Sequence, residues 1–170
     1  METSSIYQFL IIISPPEIVK QYVTYKKKCI KKSIGHFESE SSIAHLTLFN
    51  YEDKHNDNRL YHLESQISQF PSFGLCTKDF GVFEHGENRT IYIDIIHKNP
   101  ACEIAEKLDG RKINPHITIA RNLEPHAFDK AWKQFKNESF THYSKCNYVT
   151  VLKRAPGCYW DNYMNLYFSH

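Results

Sequence analysis

Two short segments of the chain repeat one arrangement, in which a histidine, an aliphatic residue, a threonine and a second aliphatic residue follow one another. The first is His45-Leu46-Thr47-Leu48 and the second is His116-Ile117-Thr118-Ile119. In a β-strand, the histidine and the threonine point to one face and the aliphatic residues to the other. The aliphatic face can pack in a core. The other face then lines a polar or hydrated space, because an unpaired buried polar group costs about 1–3 kcal/mol.

The side chains of this repeat indicate a specific chemistry. Two imidazoles that face each other across a cleft can divide acid and base roles near neutral pH. Threonine hydroxyls beside them can donate hydrogen bonds to the non-bridging oxygens of a phosphoryl group. The pattern therefore favours metal-independent phosphodiester chemistry carried by His45, Thr47, His116 and Thr118. The near-symmetry of the segments leaves open which histidine is the acid and which is the base.

Two other interpretations also account for a pair of strand histidines. Histidines on two strands could share a zinc ion, but zinc requires a third histidine, cysteine or carboxylate. The residue at i+2 is a threonine, which is a poor zinc ligand, so we expect no metal and no other cofactor. The second alternative is structural, with both imidazoles bonded to backbone carbonyl groups.

Three residues close to the motifs are candidates for binding a substrate. Arg121 could neutralise a phosphate, although strand alternation places it on the face opposite His116 unless the strand ends at Ala120. Phe49 and Tyr51 continue the face of the first histidine by the same alternation, and their rings could stack on a base. For Phe49, packing in the core is the alternative.

The composition limits the class of protein. The 170 residues are 41% hydrophobic and rich in aromatic side chains, which excludes disordered and low-complexity classes. We expect one domain over residues 1–170. A net charge of +2 provides no field for wrapping a long nucleic acid, and it leaves a small or end-bound anionic ligand as the partner. The five cysteines contain no C-x-x-C pair, which argues against a zinc ribbon or a disulfide framework.

The N-terminal segment bears on localisation. Residues 1–5 lack the basic region of a signal peptide, and the apolar run at 9–13 is too short to span a bilayer. We therefore expect a cytoplasmic, monomeric protein with no membrane partner.

Periodicity predicts interleaved strands and helices, and hence an α+β fold with largely antiparallel pairing. The basic run at 26–32 ends the first helix, either as a solvated helix terminus or as a patch that contacts phosphates. The predicted strands are 6–14, 43–51, 72–80, 89–96, 113–120, 144–153 and 159–168, and the predicted helices begin at Pro16 and end near Cys29, cover 60–69 and 100–108, and begin at Pro125.

The doubled motif and its flanks resemble the two-histidine phosphoesterase superfamily, in its bacterial 2′-5′ RNA ligase-like branch. The similar segments span nearly the whole chain and read FLIIISPPEIV, HLTLF, DFGVFEHGENRTIYIDI and NPHITIAR. The resemblance implies a bilobal fold with mostly antiparallel sheets, pseudo-twofold symmetry about a central cleft and helices on the outer faces. It also implies that Phe83 and Tyr92 border the cleft, although either residue could belong to the core.

The activity that the resemblance implies is metal-independent cleavage or formation of 2′,3′-cyclic or 2′-5′-linked phosphodiesters. The partner is then an RNA end or a small nucleotide that carries such a bond. Two alternatives stay open: a phosphodiesterase that degrades a cyclic oligonucleotide signal, and an RNA-end binding module without turnover.

Overall fold

The structure is a computed structural model that describes residues 6–54 and 58–170. It contains eight strands and four helices within those ranges. The strands are β1 (Ile6–Ile13), β2 (Leu46–Lys54), β3 (Phe73–His85), β4 (Asn88–Ile96), β5 (His116–Leu123), β6 (Thr141–Cys146), β7 (Tyr148–Arg154) and β8 (Asp161–Tyr167). The helices are α1 (Glu17–Ile34), α2 (Asn58–Ile67), α3 (Asn99–Asp109) and α4 (Pro125–Trp132).

The strands form two four-stranded sheets with matching orders. The first sheet has the order β2-β1-β7-β8 and the second β5-β4-β3-β6. All pairs within the sheets are antiparallel. The unit β1-α1-β2-α2 of the first half corresponds to β4-α3-β5-α4 of the second, so each motif lies on an edge strand. The predicted α+β fold with two related halves is confirmed.

The helices cover the outer faces of the sheets and connect the two halves. Helix α1 follows a strand of the first sheet but packs against β5 and α4, on the second sheet. Helices α2 and α3 cover the first sheet at β8 and β2. This packing buries one face of each sheet, as any stable layered domain requires. The buried residues include Phe9, Ile11, Ile13, Val19, Val23, Ile30, Leu63, Ile67, Ile91, Ile93, Ile104, Ile117, Ala131 and Phe135.

Helix α1 extends five residues beyond its predicted end, and its basic run is only partly solvated, since Lys28, Lys31 and Lys32 are exposed but Lys26 and Lys27 are not. The helix continues to Ile34 and ends at Gly35, whose φ of 84° is a conformation that favours glycine. Lys26 and Lys27 are each only 4% exposed, because their turn packs inward beside the buried Ile30. Burial of both ammonium groups rules out the two sequence interpretations for this pair of lysines.

The predicted strand at 144–153 is two strands that belong to different sheets. β6 pairs with β3 in the second sheet and β7 pairs with β1 in the first. The chain passes from one sheet to the other at Asn147. Local sequence does not specify this break, since it depends on which neighbour each half of the segment pairs with. None of the helices in the described ranges is long and apolar enough to cross a membrane.

Candidate active site

The two motifs come together because β2 and β5, which belong to different sheets, approach each other. His45 directly precedes β2, and His116 is the first residue of β5. Both imidazoles are half-buried, while Thr47 is exposed and Thr118 half-buried. The histidines are close enough for the charge of His116 to affect the pKa of His45. The four predicted catalytic side chains therefore share the region where the sheets meet.

Both imidazoles are held in the same orientation and tautomer. Nδ1 of His45 donates a hydrogen bond to the carbonyl oxygen of Ile43 at 2.7 Å. Nδ1 of His116 donates to the carbonyl oxygen of Asn114 at the same distance. A carbonyl oxygen can only accept, so the proton of each neutral ring lies on Nδ1 and Nε2 is the free acceptor. Each ring is thereby prepared to exchange a proton through Nε2.

The electrostatic surroundings of the two histidines differ. Burial lowers the pKa of His45, and the positive charges of Lys27 and Arg121 lower it further. Burial also lowers the pKa of His116, with help from Arg121 and Lys98, but the carboxylate of Asp94 acts in the opposite direction. Asp94 is the direct cross-strand neighbour of His116. Burial thus favours the neutral form of both imidazoles, and the second one has an acidic neighbour that favours its protonated form.

A β-bulge in β5 brings Arg121 onto the same face as His116. Thr118 pairs with Tyr92 of β4, but the next pair joins Ala120 to Ile91, so Ile119 is an extra residue. The extra residue reverses the alternation of the strand beyond it. Ala120 therefore turns to the core and is fully buried, while Arg121 lies beside Thr118 in a cavity. Simple alternation, which placed Arg121 on the opposite face, is wrong here.

A bulge in β2 likewise turns the rings of Phe49 and Tyr51 away from the face of His45. Thr47 pairs with Ile12 of β1, whereas Phe49 pairs with Ile11, so Leu48 is the extra residue. Phe49 and Tyr51 consequently lie on the core face, where they are 2% and 8% exposed. The prediction that these two rings share the face of His45 is wrong, because the bulge reverses the alternation. Asn50 takes the place on the cleft face instead.

A cavity of about 540 Å³ adjoins the second motif, and we call it the His116 pocket. Phe83 and Tyr92 stack on each other at 4.1 Å between ring centroids. Both rings meet His116 edge-on, with centroids at 4.7 Å from Phe83 and 5.4 Å from Tyr92. The pocket thus has an aromatic wall beside an imidazole and a guanidinium. Its lining residues are Glu38, Phe83, His85, Thr90, His116, Thr118, Arg121 and Asn122.

A comparison of the sequence with protein-family models finds a match over residues 24–157 to the model described as the 2′-5′ RNA ligase superfamily. The match covers most of the chain, including both motifs. The chain belongs to this superfamily. No curated protein sequence gives a significant match.

The solved structures that resemble this superfamily member share its fold at low sequence identity. E. coli LigT in its apo form has a TM-score of 0.66 at 15% identity, and the alignment covers 98% of this chain and 100% of LigT. A protein of Thermus thermophilus has a TM-score of 0.67 at 14% identity, with 94% and 97% of the two chains covered. LigT complexed with 3′-AMP has a TM-score of 0.66 at 14% identity, with 98% and 100% covered.

In this 2′-5′ RNA ligase superfamily member, a buried lysine supports the first motif. Nζ of Lys27 donates to the carbonyl oxygens of Ser39 and Ser42 at 2.6 and 2.7 Å, and contacts Oγ of Ser42 at 2.8 Å. Burial, together with the charge of Arg121, lowers the pKa of Lys27 to about 8. All three hydrogen-bond acceptors of Lys27 are neutral oxygens, so the lysine keeps its positive charge close to His45.

The structure thus separates the predicted contact residues of the superfamily member into two groups. Arg121, Phe83 and Tyr92 lie with His116, whereas Phe49 and Tyr51 lie in the core. The sequence interpretation missed two groups of residues. Asp94 and Lys27 act through charge; nothing in the local pattern marks Asp94, and the basic run that contains Lys27 does not indicate which of its lysines is buried beside His45. Asn50 had a signal, because it follows its histidine by the same interval as Arg121 follows His116.

The described part of the chain offers no cluster of metal ligands. Within residues 6–54 and 58–170, no three histidine, cysteine or carboxylate side chains lie close enough together to share an ion.

Proposed function

We propose that this protein is a metal-independent phosphodiesterase of the 2′-5′ RNA ligase type. Its substrates are 2′,3′-cyclic phosphates or 2′-5′-linked phosphodiesters of RNA ends or small nucleotides. The observation that carries the proposal is the pair His45 and His116, each anchored through Nδ1 and each followed two residues later by a threonine. This arrangement leaves two Nε2 atoms for proton transfer and two hydroxyls for a phosphoryl group.

The reaction on a 2′-5′ bond is a transesterification. The adjacent 3′-hydroxyl oxygen attacks phosphorus, and its proton passes to Nε2 of one histidine. The bond from phosphorus to the 5′ oxygen breaks, and the other histidine, in its protonated form, donates a proton to that oxygen. The products are a 2′,3′-cyclic phosphate and a 5′-hydroxyl, and the reverse reaction is ligation. Hydrolysis of the cyclic phosphate follows the same scheme, with water as the nucleophile.

The surrounding residues support distinct roles in this scheme. Thr47 and Thr118 donate hydrogen bonds to the non-bridging oxygens, and Arg121 neutralises their charge. For cleavage, the electrostatics favour His45 as the base, since the charged side chains that shift its pKa are all cationic. They favour His116 as the acid, because Asp94 stabilises its protonated form. In the ligation direction the two roles exchange.

The His116 pocket supports a nucleoside as part of the substrate. Phe83 lines the pocket and stacks on Tyr92, so its ring offers an aromatic wall of the kind on which bases stack in single-strand binding proteins. Solved LigT structures contain 3′-AMP, ATP or NADP+, and we extend this affinity for nucleotides to the present chain. The proposal further includes one domain over residues 1–170, a cytoplasmic location and a monomeric state.

A panel of phosphodiesters followed by phosphorus NMR tests the function. Purified protein in EDTA is mixed with 2′,3′-cyclic nucleotides, 2′-5′ dinucleotides, cyclic-phosphate-ended RNA and cyclic oligonucleotides. We expect turnover of the first three classes, with signals that show which oxygen keeps the phosphate. Turnover of the cyclic oligonucleotides alone would support a signal-degrading enzyme instead. Tight binding of cyclic-phosphate RNA without turnover would support a binding module.

Variants at the two histidines test the mechanism. We expect His45→Ala and His116→Ala each to lower kcat by about 10²-fold or more, as general acid–base catalysis contributes this much. The matched control is His126→Ala, an exposed histidine of α4. Circular dichroism shows that each variant is folded. Full activity in either folded motif variant would disprove the two-histidine mechanism.

A further inference from the structure

A second cavity, of about 450 Å³, lies on the first sheet, and we call it the Trp160 pocket. Its strand residues are Asn50 and Glu52 of β2, Gln8 of β1 and Arg154 of β7, and the mostly buried Phe9 and Tyr51 also contribute to its lining. The first four residues share one face of the sheet, since Gln8 pairs with both Glu52 and Arg154. The same face carries Thr47, because its partner Ile12 alternates with Leu10 and Gln8. The Trp160 pocket therefore continues the cleft along β2, away from the motif.

The two pockets occupy corresponding positions in the two halves of the fold. The His116 pocket contains Arg121, which is the fifth residue after His116. The Trp160 pocket contains Asn50, which is the fifth residue after His45. In each strand a bulge after the threonine turns that fifth residue to the cleft face. Each motif strand thus leads from its histidine into a pocket of its own.

The polar groups of the Trp160 pocket form a connected set. Nε of Arg154 donates to Oε1 of Gln8 at 2.7 Å, and Nε2 of Gln8 donates to Oε1 of Glu52 at 2.8 Å. The guanidinium of Arg154 lies over the ring of Trp160, at 4.2 Å from its centroid. This stack presents a flat surface of the kind that receives an unpaired base.

The polar groups of the pocket suit a nucleoside, because its two guanidinium groups are already engaged, Arg154 with Gln8 and Trp160 and Arg111 with Asp109 and Asn50. Arg111 is paired with Asp109 and donates to the side-chain oxygen of Asn50 at 2.9 Å. The carboxylate of Glu52 would repel a phosphate but can accept hydrogen bonds from ribose hydroxyls or from the amino group of a base. Amide groups at Gln8 and Asn50 add both donors and acceptors. The His116 pocket also contains a carboxylate, that of Glu38, but there Arg121 adjoins the motif threonine.

We propose that the Trp160 pocket binds the second nucleoside of an internucleotide phosphodiester, with the phosphate between the two histidines and the first nucleoside in the His116 pocket. The inference rests on the proposed function and narrows its substrate class. A 2′-5′ dinucleotide unit occupies both pockets, whereas a 2′,3′-cyclic mononucleotide occupies one. In ligation, the same pocket holds the nucleoside that supplies the 5′-hydroxyl.

The kinetic test compares two substrates with the same base, a 2′-5′-linked dinucleotide and a 2′,3′-cyclic mononucleotide. We expect Trp160→Ala to lower kcat/KM for the dinucleotide by about 10-fold or more, as loss of one stacked base does. The rate for the cyclic mononucleotide should stay within about twofold of the wild-type value. Glu52→Gln tests the hydrogen-bonding edge with little change of shape. The matched control is Tyr159→Ala, which removes an exposed neighbouring ring.

A binding measurement separates this inference from the proposed function. The dinucleotide and the corresponding 3′-mononucleotide are titrated calorimetrically into His45→Ala protein, with and without Trp160→Ala. Selective weakening of dinucleotide binding supports the pocket even if the wild-type protein turns over neither substrate, which would itself refute the function. Equal weakening of both ligands, or no weakening of the dinucleotide, would overturn the assignment of the pocket.

Discussion

Nζ of Lys27 lies 2.6 Å from the carbonyl oxygen of Ser39, and both residues are buried. Ser39 extends this contact to the second motif strand, since its Oγ accepts from the N–H of Arg121 at 3.0 Å and donates to the carbonyl oxygen of Ile119 at 3.2 Å. The lysine of α1 thus supports the bulge that presents Arg121. It also contributes a positive charge beside His45.

Replacing Lys27 by methionine should change the pH dependence of the reaction. The lysine charge lowers the pKa of His45, so its removal raises that pKa. His45 can act as the base only in its neutral form. With a higher pKa, the imidazole becomes protonated at a higher pH, so the neutral form is lost earlier as the pH falls. We therefore expect the acidic limb of kcat/KM to move to higher pH, in a profile measured across the titration range of histidine.

Lys28→Met is the matched control for this variant, because Lys28 is the next residue of α1 and is exposed. Its profile should coincide with that of the wild-type protein. A Lys27→Met protein that loses activity equally at every pH would show that the lysine acts through packing alone.

Asp94→Asn should move the opposite limb. The carboxylate of Asp94 raises the pKa of His116, so the amide allows that pKa to fall. The positive charge of Lys98, which is paired with Asp94 at 2.8 Å, then lowers the pKa of His116 with no carboxylate at position 94 to oppose it. His116 can act as the acid only in its protonated form. With a lower pKa, the imidazole loses its proton at a lower pH than in the wild-type protein. We expect the basic limb of kcat/KM to shift to lower pH.

The control for Asp94→Asn is Asp129→Asn, an exposed carboxylate of α4 whose removal should leave both limbs in place. A shift of the acidic limb in Asp94→Asn would reverse the proposed roles of the two histidines in the direction assayed.

Arg121 and Phe49 should separate catalysis from stability. Arg121 is exposed in the His116 pocket, so Arg121→Ala should lower kcat/KM by about 10²-fold, the usual cost of losing a group that stabilises transition-state charge. Its Tm should be nearly unchanged.

Phe49 is 2% exposed on the core face, so Phe49→Ala should lower the free energy of unfolding by about 3–5 kcal/mol. Denaturant titration and initial rates, measured where both variants are folded, decide the assignment. A rate loss in Phe49→Ala that matched the Arg121 variant would return Phe49 to the site.

Gly81 should be required for the position of the Tyr92 ring. A Cβ atom at Gly81 would lie closer to Cζ of Tyr92 than any van der Waals contact allows. Gly81→Ala must therefore displace the ring that meets His116 edge-on. We expect a raised KM for mononucleotide substrates with a smaller change in kcat, measured by steady-state kinetics.

Gly74→Ala provides a matched control in the same strand. Its Cβ would crowd the ring of Tyr143 in a similar way, at 2.6 Å, but that ring is 68% exposed and can move into solvent. The KM of this variant should equal the wild-type value. A KM that is unchanged in Gly81→Ala as well would show that the position of the Tyr92 ring does not affect substrate binding.

Local chemistry determines several features of the molecule directly. The pairing of each histidine with its threonine follows from the period of two in a strand, which needs no tertiary information. The apolar run of β1 and the proline before α1 likewise indicate their elements. These local signals predict the α+β class and the four side chains of the two motifs, which the fold brings together.

Strand alternation gives the wrong face for Phe49, Tyr51 and Arg121, because a bulge interrupts each motif strand before these residues. A bulge is a mismatch between two strands, so the register of β1 against β2, or of β4 against β5, has to be known before it can be located. The same limit applies to Asn147, where one predicted strand divides between two sheets.

The sequence by itself determined the candidate chemistry, because a histidine and a threonine at i and i+2 face the same side of any strand. Only the tertiary structure decided what surrounds that chemistry. Lys27 and Asp94 act on the histidines across elements distant in the chain, and their charges matter because burial reduces the screening by water. The two pockets likewise depend on strand register, a property of pairs of strands rather than of single segments.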